Sequence, residues 1–103
     1  MKAEPLTLCV LLWAHPGAEE SLTAYEDQVL ALIPDHGGWV IQRARSSGAG
    51  GYPLEIHFLE FPSPQALDAY VADSRRQALA GDRDCAIART EIIEVNLIPG
   101  VGS

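Results

Sequence analysis

An α+β domain of element order β-α-β-β-α-β is expected from three features of this 103-residue sequence. Four short runs, Leu6–Ala14, Trp39–Arg45, Pro53–Phe61 and Arg89–Ile98, are continuously apolar or alternate with the period of a strand. Two segments between them repeat apolar residues at the three-to-four spacing of an amphipathic helix. Turn-forming residues mark the junctions.

Each element has a local reason. LTLCVLLWA at 6–14 is short, apolar and bounded by turn formers, as a central strand should be. His15-Pro16-Gly17 breaks it, and Glu19 and Glu20 suit the positive end of a following helix. From Ala18 to about Ile33, Leu22, Tyr25, Val29, Leu32 and Ile33 form the apolar stripe, with Glu26, Asp27 and Gln28 expected on other faces. Pro34 and Gly37-Gly38 end that helix. WVIQRAR at 39–45 and PLEIHFLEF at 53–61 are joined by the glycine-rich SSGAGGY, so they are expected to pair as a hairpin around a flexible loop, a candidate lid. Ser63 and Pro64 are an N-cap and first-turn pair, opening a helix to about Leu79. A short irregular or helical stretch then leads to RTEIIEVNLI at 89–98 and a loose tail. The two halves each read strand, helix, strand, the ferredoxin-like split βαβ pattern. Right-handed connections place both helices on one face of a four-stranded antiparallel sheet.

The chain length fits one domain spanning 1–103. Fourteen acidic residues against seven basic ones give a formal charge of −7, which disfavours nucleic acid and anionic membrane as partners. The pairs Arg43/Arg45 and Arg75/Arg76 are too short for a nucleic-acid stripe and read as solvated charge or local ion pairs. Cys9 and Cys85 have no metal-ligand spacing and read as free thiols in a reducing compartment. The apolar run behind Lys2 is too short to span a bilayer and lacks a cleavage site, so a cytoplasmic location is expected. No HEXXH, GxSxG, phosphate-loop or dinucleotide fingerprint occurs, and no metal or cofactor is expected.

Strand alternation gives a face assignment. The aliphatic sets Leu6/Leu8/Val10/Leu12, Leu54/Ile56/Phe58 and Ile93/Val95/Leu97, with Val40 and Ala44, are expected beneath the helices. The mixed sets then share the helix-free face: Leu11, Trp13, Trp39, Ile41, Arg43, Arg45, Glu55, His57, Leu59, Phe61, Ile92, Glu94 and Asn96. Such a face is too apolar to leave wet and too charged for a plain core. A second copy packed sheet to sheet is therefore expected.

From Leu6 to Leu97 the chain resembles members of the dimeric α/β-barrel superfamily, most clearly in HPGAEESLTAYEDQV, DHGGWVIQRAR and LEIHFLEFPSPQALDAYVAD. That group includes antibiotic-biosynthesis monooxygenases, small polyketide cyclases, haem-degrading monooxygenases and muconolactone isomerases. The junction LEFPSPQALDAY is most similar to its uncharacterised members. The resemblance implies a dimeric barrel, and it implies chemistry only weakly, because the fold hosts many activities. Haem-degrading relatives use a helix-borne histidine, and neither expected helix body here contains one. Cyclases of this fold use His and Tyr for proton transfer; His57, Tyr25 and Tyr70 are of that type without matching a motif position.

Among single residues His57 stands out. With a carboxylate partner, a histidine serves as a general base near neutral pH; its ordinary role would be a hydrogen-bonded interface group. His57 and Glu94 are the candidate catalytic pair, and Trp13, Trp39, Arg43, Glu55 and Asn96 the candidate ligand contacts. The sequence names no reaction and leaves open whether the chain is an enzyme. Three functions follow: a dimer binding a small apolar or aromatic molecule between sheet and helices or in the barrel, a cofactor-independent monooxygenase or cyclase, and a purely structural accessory dimer.

Overall fold

A computed structural model describes residues 4–100; Lys2 and the end of the expected loose tail lie outside the described residues. Strand β1 (Leu6–Ala14) is followed by helix α1 (Glu19–Leu30) and a 3-10 turn at Ile33–His36. Strands β2 (Trp39–Arg45) and β3 (Glu55–Phe61) form the expected hairpin, with a second 3-10 turn at Ala49–Gly51 between them. Helices α2 (Pro64–Val71), α3 (Ser74–Gln77) and α4 (Ala80–Ala86) precede strand β4 (Ile87–Glu94). The sheet is antiparallel in the order β2-β3-β1-β4, so the apolar β1 is a central strand. This is the ferredoxin-like α+β fold.

The chain differs from expectation after Val71. Instead of one helix to Leu79, α2 stops and Asp73 takes an extended ψ of 128°. Its carboxylate accepts the Arg75 amide at 2.9 Å, which starts α3 afresh. The stretch through Ala86 is helical, and β4 begins two residues earlier than expected and ends at Glu94.

The core lies between the helices and one sheet face. Leu8, Val10 and Leu12 of β1 pack with Leu22, Leu30, Ile33 and Tyr70. Gly38 enters β2 so close to β3 that a Cβ there would lie 2.5 Å from the Glu60 carbonyl oxygen.

The register corrects the face assignment for three strands. Val10 sits opposite His57 and Leu12 opposite Glu55, so Glu55, His57, Leu59 and Phe61 lie beneath the helices, and all four are buried. Ile56 and Phe58 are on the helix-free face. In β4, Thr90, Ile92 and Glu94 share the face of Leu8, Val10 and Leu12, leaving Glu91 and Ile93 on the other. In β2 an irregularity between Val40 and Gln42 shifts the alternation, so that Arg43 pairs with His57 and Arg45 with Glu55 on the helix side. The aversion of cores to charge misleads here because the buried carboxylate of Glu55 is fully satisfied by hydrogen bonds. The helix-free face therefore carries Leu11, Trp13, Trp39, Ile56, Phe58 and Ile93.

Candidate functional site

A cavity of about 280 Å³ opens between the sheet and the helices on the β1–β4 side. Leu8, Val10, Leu12, Leu30, Leu59 and Leu67 supply most of its wall, while Tyr25, Glu26, His57, Tyr70, Arg76 and Arg83 supply polar groups. Its size falls near the lower end of the ligand-pocket range, roughly 300–1,000 Å³, and its mix of apolar wall and few polar groups is that of a binding site.

A buried polar chain supports the cavity floor. Glu55 accepts from Arg43 Nε at 2.8 Å and Nη2 at 3.1 Å, and from the Thr23 hydroxyl at 2.6 Å. Arg43 also donates to Asp27 at 2.6 Å and to the Thr23 carbonyl at 3.2 Å. The imidazole Nε2 of His57 lies 2.8 Å from Glu55 Oε1. Burial alone would raise the Glu55 carboxyl, but hydrogen bonds from His57, Arg43 and Thr23 outweigh it and hold the group at about 2. An ionised carboxylate only accepts, so Nε2 of His57 carries a proton and donates it.

That fixes what the other ring nitrogen offers. Nδ1 of His57 is buried, lines no hydrogen bond, and stands 3.7 Å from Glu26 Oε1, beyond hydrogen-bond length. Glu26 is itself buried at 6% exposure. Desolvation pushes its carboxyl up to about 7, with the nearby Glu55 charge adding to the rise against the opposing pull of His57. Burial also pushes the Tyr70 phenol up to about 12 and raises that of Tyr25. The Tyr70 hydroxyl donates to the Val29 carbonyl at 3.1 Å, so both tyrosines enter as neutral phenols. Chemically, the Glu26 carboxyl can exchange a proton with a ligand atom near neutral pH, and the free Nδ1 of His57 can accept a hydrogen bond from one. Among the described residues no group of three or more His, Cys, Asp or Glu is arranged to hold a metal ion.

Of the residues singled out in the sequence, His57, Glu55 and Arg43 come together. Glu94 lies opposite Leu8 on the edge strand and is exposed; the carboxylates near His57 are Glu55 and Glu26. Asn96 lies beyond the end of β4 and is exposed. Trp13 and Trp39 are on the helix-free face. The Trp13 indole donates to the Gly51 carbonyl at 2.9 Å, and the Arg89 guanidinium lies 4.5 Å over its ring. That bond pins the glycine-rich loop, which does not line the His57 cavity.

Glu26 and Arg76 were missed as site residues. Glu26, expected on another face of α1, is buried: it falls four residues after Leu22 and three before Val29, so it turns inward with the apolar stripe. Arg76 was grouped with Arg75, which does make local ion pairs with Asp73 and Asp35. Both follow the break at Asp73 within α3, and the turn of about 100° between successive helical residues separates their directions.

No family model and no curated protein matches the sequence. Solved structures do match in shape. A protein of unknown function, RPA0582 from Rhodopseudomonas palustris, superposes with a TM-score of 0.77 at 18% identity, covering 95% of this chain and 86% of the other. The chain shares their fold. SnoaB from Streptomyces nogalater, a cofactor-independent oxygenase, gives a TM-score of 0.71 at 11% identity over 98% of this chain and all of its own, a coverage of 100%. A Caulobacter crescentus protein provisionally named an antibiotic biosynthesis monooxygenase gives 0.74 at 14% identity, covering 94% and 92% of the two chains. The ferredoxin-like fold is thus shared with proteins of the monooxygenase-like group and with others of unknown function.

Proposed function

We propose that this chain binds a small, mostly apolar molecule in the cavity between sheet and helices, and presents to it the Glu26–His57 pair. The observation that carries this reading is the unpartnered, buried Nδ1 of His57 near the Glu26 carboxyl, which is held close to neutrality, in a mostly apolar wall. Core packing does not require such a pair; leaving a buried polar atom unpaired costs roughly 1–3 kcal/mol, which a hydrogen-bonding ligand would recover. A screen of small aromatic and aliphatic compounds by thermal shift tests it. Compounds that raise the melting temperature of the wild type should lose that effect in Leu67→Trp, which fills the cavity. Equal shifts in both proteins would place binding elsewhere.

A second reading makes the site catalytic. His57 Nδ1 would take a proton from an acidic C–H of the substrate; the carbanion would then either add molecular oxygen, Glu26 protonating the peroxide, which loses water to leave a carbonyl, or attack a carbonyl carbon of the same molecule, Glu26 protonating the alkoxide formed. The shape shared with SnoaB adds to this reading, and the proton-exchange pair is the specific observation in its favour. Turnover falling in His57→Ala and Glu26→Gln by far more than affinity does is its expected signature; unchanged turnover would remove the pair from the mechanism.

The helix-free face supports a homodimer. Trp39 and Ile93 are 52% and 48% exposed there, beside the half-buried Leu11, Ile56 and Phe58. Such a patch is covered in a stable protein by a complementary surface, and a second copy supplies one by symmetry.

A further inference from the structure

The lining of the cavity includes an arginine with an unusual environment. Arg76 follows the Asp73 break and is one of the residues lining the cavity. Its guanidinium stacks 5.1 Å from the centroid of the Tyr70 ring, which holds it in place. Its Nε is buried and has no protein acceptor. Every other cavity or network arginine behaves differently: Arg43 is tied to Glu55 and Asp27, Arg45 to Glu20, Arg75 to Asp73 and Asp35, and Arg83 reaches Asp84. Among the described residues Arg76 forms no ion pair with a carboxylate. The acid whose charge it feels inside the cavity is Glu26, lying beyond ion-pair distance. In a chain with twice as many acids as bases, an arginine left without a carboxylate partner beside an apolar cavity stands out.

We propose that the cavity selects a ligand bearing a carboxylate on an apolar body, with the carboxylate bound by Arg76 and the body against the leucine wall. The inference rests on the cavity being a ligand site. Arginine suits the role because Nε and one Nη donate in parallel to the two carboxylate oxygens. The Tyr70 ring lies against the fork. The Glu26–His57 pair then meets a polar atom at the other end of the ligand.

Naphthalene-2-carboxylate and its neutral counterpart naphthalene-2-carboxamide test this by calorimetric titration at pH 7.5. The wild type should bind the carboxylate at least about tenfold more tightly, the range expected for a hydrogen bond to a charged group. Arg76→Gln should abolish the preference while leaving carboxamide affinity in place. Arg76→Lys keeps charge without the fork and should retain a reduced preference. Glu26→Gln should keep or widen the preference, since it removes a like charge. Equal affinity of the wild type for the two probes, or an undiminished preference in Arg76→Gln and Arg76→Lys, overturns the proposal while leaving the cavity reading intact. Failure of both probes to bind would count against the cavity reading, and the carboxylate proposal would fall with it.

Discussion

Glu26 and Glu55 flank the same imidazole and yet titrate in opposite directions, because only Glu55 is surrounded by donors. Glu26 has a folded-state value of about 7 against an ordinary 4.5. Its raised value means that the stability it permits is fully present below pH 4.5 and is lost as pH rises through about 7. Glu26→Gln should therefore match the wild type in urea melts at pH 4 and exceed it at pH 8, by about 3 kcal/mol at most. Glu55 works the other way: its contribution is complete above pH 4.5 and fades as pH falls toward about 2. Glu55→Ala leaves Arg43 and His57 facing a missing acceptor, and should cost about 3–5 kcal/mol at pH 7 in the same melts. If the loss is below about 1 kcal/mol, the network is not what holds β3 to α1.

At the scale of elements, the hairpin and the α2–α3 break position the site. β2 enters through Gly38, where space is set by the Glu60 carbonyl and the side chains of Ile33 and Phe61. Gly38→Ala should destabilise by about 1–3 kcal/mol, read by thermal melting, because the carbonyl on β3 cannot yield without breaking the ladder. The bounds of β1 and β2 were legible, since apolar run length and flanking turn residues decide them locally. The face of β3 was not. Its alternation is clear, but which set turns inward depends on Arg43 reaching Glu55 across the hairpin, a tertiary contact that depends on the irregularity in β2. For the same reason His57 was identified as the interesting residue and placed on the wrong side of the sheet. Glu26 was expected on another face of α1, although its spacing from Leu22 and Val29 turns it inward, and Arg76 needed the Asp73 break.

For the whole molecule, the two sheet faces divide the work. The helix face encloses the cavity, and the open face presents tryptophan, isoleucine and phenylalanine to its surroundings. The dimer proposal places its contacts on that open face and leaves the cavity to each copy. Light scattering at micromolar concentration should return twice the chain mass, and Ile93→Arg should return the chain mass with an unchanged circular dichroism spectrum. A monomeric wild type would remove the dimer without touching the cavity.

The most direct test of the central claim, that ligands enter between sheet and helices and meet the Glu26–His57 pair, is a nitrogen-15 NMR titration of the histidine ring with 2-naphthol. A ligand in the cavity should cause a large change at His57 Nδ1 and little change at Nε2, whose proton stays hydrogen-bonded to Glu55, and the Nδ1 response should be lost in Leu67→Trp. A silent His57 accompanied by shifts of the Trp13 and Trp39 indoles would contradict it and move binding to the open sheet face.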